Sequence, residues 1–137
     1  MYLRIHKIEF EAAHYLKGHP KCGVVHGHTY VIRNLRIQGE PDEQGMIVDF
    51  GIIKDYIKKY WDHKLLVPVC DAEVWYKTYE QLGLGSPAIV PMTNPTVENI
   101  AAAIKGELER LLERRLGVQT KVSFELYEGT RNGVIIT

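Results

Sequence analysis

Two histidines one residue apart, set just after a cysteine in the stretch Lys21 to Tyr30 (KCGVVHGHTY), constrain this chain more than any other feature. The residues that follow, Tyr30, Val31, Ile32, Leu35 and Ile37, predict a strand opening at His28. Side chains on a strand alternate with period two, so His26 and His28 project to one face, where they suit two ligands of one metal ion. Gly27 between them leaves room for a bent backbone or a close substrate, and Cys22 sits one loop away, placed to ligate or to attack. Zinc is the expected metal, because neutral imidazole is a preferred ligand and an incomplete protein shell leaves a position for substrate. The best third ligand is His14, at the end of the strand-like run Ile5 to Tyr15, where a paired strand would bring it opposite the HGH segment; His6, His19 and His63 compete.

An HxH pair alone is a weak signal, and two other folds that use one can be weighed. A metal-dependent cupin would usually follow the pair with a glutamate, but Ile32 and Arg33 stand there and no acidic residue precedes Glu40. An amidohydrolase barrel is excluded by size, since 137 residues cannot close eight strand-helix units.

The length fits one domain, residues 1–137, and 45% apolar residues suffice for a packed core. Lys plus Arg and Asp plus Glu are 17 each, so no net charge argues for a nucleic acid or a membrane surface as partner. The cluster Arg110, Arg114 and Arg115 reads as the solvated face of a helix. MYLRIHKIEF is too polar and alternating for a signal peptide, and no run approaches a transmembrane helix in length, so a cytoplasmic protein is expected. Cys22 and Cys70 are then expected as free thiols.

Residues 2–14 read as a strand whose alternation slips near Ile8, which predicts a bulge. After a loop from Gly18 to Gly23 comes the strand 28–38, then a turn through Gly39, Pro41, Asp42 and Gly45 and a short run Met46 to Val48. Asp49 is a good N-cap for a helix with Phe50, Ile53, Ile57 and Tyr60 on one stripe, ending near Trp61. The segment from Leu66 to Asn94 has no sustained period; Asp71 to Leu82 predicts a short helix stopped by Gly83, with Gly85, Ser86 and Pro87 beyond. Pro95-Thr96 announces the longest helix, with Val97, Ile100, Ala101, Ile104, Leu108, Leu111 and Leu112 on one stripe and Gly117 as its stop. Val118 to Tyr127 and Gly133 to Ile136 predict two closing strands. The expected architecture is α+β: a four-stranded antiparallel sheet with two long helices on one face.

With these segments placed, the chain resembles the 6-pyruvoyl-tetrahydropterin synthase and 6-carboxytetrahydropterin synthase family. The resemblance rests on Phe10-Glu11-Ala12-Ala13-His14, Cys22-Gly23 followed by His26-Gly27-His28, Gly45 to Phe50 (GMIVDF), Asp62-His63, Asn94 to Asn99 (NPTVEN), and Tyr127-Glu128. It covers most of the chain and leaves an insertion at about 66–93, longer than the family usually carries.

The resemblance implies His14, His26 and His28 as zinc ligands and Cys22 as the thiol that moves a substrate proton. It implies His63 with Asp62, together with Glu128, as charge-relay partners, and Glu98, with Thr96 beside it, as the anchor of a pterin ring. A carboxylate accepts a bidentate pair of hydrogen bonds from the amino and ring N–H edge of a pterin, which suits Glu98. The implied substrate is 7,8-dihydroneopterin triphosphate. The short Cys22 to His26 spacing is closer to the carboxytetrahydropterin type, which releases acetaldehyde and triphosphate on the 7-deazaguanine (queuosine and archaeosine) route, than to the pyruvoyl-forming type, which eliminates triphosphate and isomerises the side chain. A non-catalytic zinc or pterin-binding module is the alternative of another class. The family also implies a tunnelling-fold assembly, with trimeric barrels pairing as hexamers, sites between subunits, and Glu98 supplied by a neighbour of the chain that holds the zinc.

Overall fold

The computed structural model describes residues 1–85 and 88–137. Among the described residues ten elements follow one another, with a short 3-10 turn at Val69–Asp71 among them: β1 (Tyr2–His14), β2 (His26–Gln38), α1 (Phe50–Tyr60), β3 (Lys64–Pro68), α2 (Ala72–Gln81), β4 (Ile89–Met92), α3 (Val97–Leu116), β5 (Val122–Glu128) and β6 (Asn132–Ile136). The predicted Gly85-Ser86-Pro87 break falls partly on Ser86 and Pro87, outside the described residues.

The sheet is six-stranded and mixed, ordered β4-β3-β1-β2-β5-β6, and not the four-stranded antiparallel sheet expected. The four expected strands are present and antiparallel; β3 and β4 extend the sheet beyond β1, each parallel to its neighbour. The reason they escape a periodicity reading is visible in β3, where Leu65, Leu66 and Val67 are all buried. A strand covered on both faces shows a continuous apolar run and no alternation.

Leu66 faces the main core, which α1 and α3 close with Ile53, Ile57, Trp61, Ile100, Ile104 and Leu108 over Phe10, Tyr30, Ile32 and Leu126 of the sheet. Leu65 and Val67 face the other way, into a smaller cluster with Tyr15, Ala72 and Ile89 to which α2 adds Trp75 and Tyr79. The two long helices therefore share one face as expected, while α2 covers one end of the other. Asp49 and Thr96 cap α1 and α3 through side-chain bonds to Gly51 and Asn99 N–H, and Gly117, at φ 71°, ends α3 in the left-handed conformation. Arg110, Arg114 and Arg115 are exposed on α3.

The slip near Ile8 is shared by two strands. Ile5 pairs with Leu35 and Ile8 with Ile32, and between them both strands switch the face they bury, opposite Asn34 with its φ of 53°. From there to the end of the sheet, even-numbered positions of β1 and β2 point to the helix face. His14, His26 and His28 fall on that face together.

Candidate active site

Antiparallel pairing brings His14 opposite His26 and Ala12 opposite His28, which stacks three imidazoles at the end of the β1-β2 ribbon. One ring nitrogen from each lies within 4.8 Å of the others. The backbone fixes two of the tautomers. His14 Nδ1 lies 2.7 Å from the Pro95 carbonyl and His26 Nδ1 lies 2.7 Å from the Val24 carbonyl. A carbonyl only accepts, so both Nδ1 atoms carry a proton, which in the neutral ring leaves Nε2 as the lone-pair atom.

Those two Nε2 atoms face each other at 3.0 Å, and His28 Nε2 is buried without a hydrogen-bond partner. Three converging imidazoles, two of them with Nδ1–H held by carbonyls, fit zinc, whose charge would stabilise the convergence. Burial pushes the His14 imidazole down to about 4, against the Pro95 carbonyl that favours its charged form, and the two neighbouring imidazoles add to the depression. It is neutral, hence able to ligate, across the physiological range.

Glu128 ends β5 on the same face, directly across from Tyr30, with Oε1 3.9 Å from His14 Nε2. Tyr30 is fully buried, its ring 5.9 Å from that of His14 and 5.5 Å from that of His28, and its hydroxyl has no partner among the described residues. Burial and then the Glu128 charge raise its phenol well above the usual tyrosine range. The sequence reading used Tyr30 only as strand evidence, although its even position already placed it beside His28.

Asp62 and His63 turn the chain from α1 into β3. His63 adopts a left-handed φ of 58°, uncommon for a residue with a Cβ. Asp62 Oδ2 lies 2.9 Å from His63 Nδ1, while Asp62 Oδ1 accepts the Glu11 N–H at 2.8 Å and the His63 N–H donates to the Glu11 carbonyl at 2.6 Å. Burial works against the Asp62 charge, but the Glu11 N–H and His63 outweigh it and hold the carboxyl below its ordinary value. The His63 side chain is 80% exposed. It lines an open cleft of about 500 Å³ with Glu11, Ala12, Ala13, Gly27, His28, Thr29 and Lys64. Glu11, Ala13, Gly27 and Thr29 are odd positions of β1 and β2, and His28 of the triad lines the same cleft.

Cys22 is half-buried in the β1-β2 loop, Glu98 is exposed in the first turn of α3, and the Thr96 hydroxyl is engaged as the α3 cap. Among the described residues none of Cys22, Glu98 and His63 hydrogen-bonds to the three imidazoles. The chain carries α3 to the metal-type site through Pro95, whose carbonyl holds His14 three residues before Glu98.

Residues 4–137 match the family model described as 6-pyruvoyl tetrahydropterin synthase. The chain belongs to that family. Within the 6-pyruvoyl tetrahydropterin synthase family, a curated relative from Rickettsia bellii, named 6-carboxy-5,6,7,8-tetrahydropterin synthase, is 39% identical over 107 residues, 74% of this chain and 76% of its own length. A relative from Pyrococcus abyssi, named a putative 6-carboxy-5,6,7,8-tetrahydropterin synthase, is 32% identical over 94% of this chain and 85% of its own. The fold is that of the 6-pyruvoyl tetrahydropterin synthase of Plasmodium falciparum, with a TM-score of 0.64 at 17% identity over 98% of this chain and 96% of that one.

Proposed function

We propose that the protein is a zinc-dependent lyase of the 6-carboxy-5,6,7,8-tetrahydropterin synthase type, acting on 7,8-dihydroneopterin triphosphate. The observation that carries the reading is the convergence of three imidazole nitrogens, with Nδ1 of His14 and of His26 held by backbone carbonyls, in a chain whose relatives bear that name. His14, His26 and His28 would hold the ion. Bound there, zinc supplies Lewis acidity toward a hydroxyl of the substrate side chain.

The other roles belong to the chain. Cys22, as thiolate, takes the proton from the carbon beside that hydroxyl. His63 relays a proton, its Nδ1–H held by Asp62 so that Nε2 is free to accept. Glu128, beside His14, completes the relay, and Glu98 pairs with the amino and ring N–H edge of the pterin with Thr96 next to it. One water is consumed as acetaldehyde and triphosphate are lost, and the product enters the route to 7-deazaguanine nucleosides in the cytoplasm. No helix of the described residues is long and apolar enough to cross a membrane.

The working unit on this reading is a hexamer of paired trimers with each site between subunits. The exposure of His63, whose side chain makes no hydrogen bond to the three imidazoles of its own chain, supports it. The deciding experiment is product analysis: purified protein is incubated with dihydroneopterin triphosphate and the pterin identified. 6-Carboxytetrahydropterin with acetaldehyde supports the reading; a 6-pyruvoyl product would move the protein to the triphosphate-eliminating reaction, and no turnover by zinc-loaded protein would make it a binding module.

A further inference from the structure

The loop that carries Cys22 is gripped at its base by a residue outside the site described above. Asp71 stands at the N-cap of α2, where an aspartate ordinarily accepts a hydrogen bond from the first turn of its own helix, yet its side chain makes no capping bond. Both carboxylate oxygens turn instead to the end of β1. Oδ2 accepts from the Tyr15 hydroxyl at 2.7 Å and Oδ1 from Lys17 Nζ at 2.5 Å. Trp75, on the first turn of α2, donates its indole N–H to the same Tyr15 oxygen at 2.9 Å. Tyr15 is buried, so its hydroxyl depends on these two partners.

Between Tyr15 and Lys17 lies Leu16, and Leu16 is where the loop closes on itself. Its N–H donates to the Cys22 carbonyl at 2.7 Å and its carbonyl accepts the His19 N–H at 3.1 Å. His19 Nδ1 in turn accepts the Cys22 N–H at 2.9 Å. The next residue must be glycine, because a Cβ on Gly23 would sit 2.6 Å from the His19 carbonyl oxygen. Cys22 is thus bonded through both its backbone N–H and its carbonyl to a turn that Asp71 holds on either side of Leu16.

We propose that Asp71 is a positioning residue for Cys22, and that the α2 segment, for which the sequence offered no role, clamps the loop that bears the thiol. The catalytic consequence rests on the function proposed above, since a base acts only when held within reach of its proton. The clamp itself is a statement about Cys22 alone.

The test therefore reads the thiol directly, in the Cys70→Ser background, because Cys70 is exposed and its Sγ lies 3.7 Å from Asp71 Oδ1. The probe is iodoacetamide, with the second-order rate of Cys22 alkylation followed by mass spectrometry. Asp71→Ala should raise that rate by on the order of tenfold, the change in open-loop population expected from losing a hydrogen bond to a charged group. Tyr15→Phe, which keeps the ring packed and removes one arm, should shift it less in the same direction, and Asp71→Asn, which keeps an acceptor, should restore most of the closed state. With dihydroneopterin triphosphate, Asp71→Ala should lower kcat by roughly tenfold while KM moves little and zinc content stays constant. Unchanged alkylation in folded Asp71→Ala overturns the clamp, and Tyr15→Phe decides in the same way should Asp71→Ala fail to fold. Faster alkylation in a protein that turns over no pterin at all would leave the clamp standing and remove the proposed function instead.

Discussion

Asp62 Oδ2 and His63 Nδ1 lie 2.9 Å apart although the two residues are neighbours in the chain. Adjacent side chains commonly point apart; here the left-handed backbone at His63 and two hydrogen bonds to Glu11 fold the pair together. Asp62→Asn keeps the acceptor for Glu11 but presents an amide to the imidazole and weakens its hold on the tautomer. Turnover should fall by about tenfold or more with zinc content unchanged, as expected for a group that orients a proton carrier. An Asp62→Asn enzyme with normal kcat across the pH profile would leave Asp62 a structural turn residue.

Removing one imidazole from the triad should empty it. His26→Ala is expected to lose zinc and activity together while the circular dichroism of the sheet and helices is retained, since the packed core lies on α1, α3 and the sheet and not on the ion. Metal analysis of the dialysed variant checks this; a full equivalent of zinc would sink the assignment.

Cys22→Ala should keep zinc and pterin binding and lose the chemical step, with kcat down about a hundredfold or more, the usual cost of a general base. Cys70→Ser should leave turnover unchanged. Steady-state kinetics on the two variants separates the thiols, and equal rates for wild type and Cys22→Ala would remove Cys22 from the mechanism.

Assembly can be tested by complementation. His26→Ala damages the triad and His63→Ala the Asp62-His63 pair, so if each site takes the two from different chains, mixed oligomers should contain some sites with both halves intact. Partial recovery of activity on refolding the two inactive variants together is expected. Verified mixed oligomers without activity would place the whole site in one chain. The same mixture made with Glu98→Ala asks whether Glu98, the proposed pterin anchor, comes from a neighbouring chain.

Glu109 ties α3 to β5: Oε1 accepts from Lys105 Nζ at 2.5 Å and from the Val122 N–H at 3.0 Å. Burial opposes its charge, but Lys105 and the Val122 N–H prevail and hold the carboxyl below its ordinary 4.5. A depressed carboxylate contributes stability that is complete above the unfolded value and is lost as pH falls through the folded one. Glu109→Gln should therefore cost about 1 kcal/mol near neutrality. Urea unfolding at falling pH should show that difference shrink from the ordinary 4.5 of the carboxyl downward and vanish once pH has passed the lower folded value; a gap that persists in strong acid would mean packing, not charge, is what Glu109 supplies.

The local signals in the sequence determined the long amphipathic helices, their caps at Asp49 and Thr96, the four antiparallel strands, and the shared face of His26 and His28, because period-two and helical spacing, capping chemistry and glycine stops act over a few residues, whereas His14 was singled out from His6, His19 and His63 by the family resemblance. Only the tertiary structure decided the rest. β3 and β4 are parallel and β3 is buried on both faces, so no alternation marked them; the meeting of Asp62 with His63 depends on one left-handed residue. The tautomers of His14 and His26 come from carbonyls at Pro95 and Val24, the former 81 residues away, and the grip of Asp71 on the Cys22 loop spans more than 50 residues. Contacts of that range are set by which faces the sheet buries, a property of the packed molecule that no window of sequence contains.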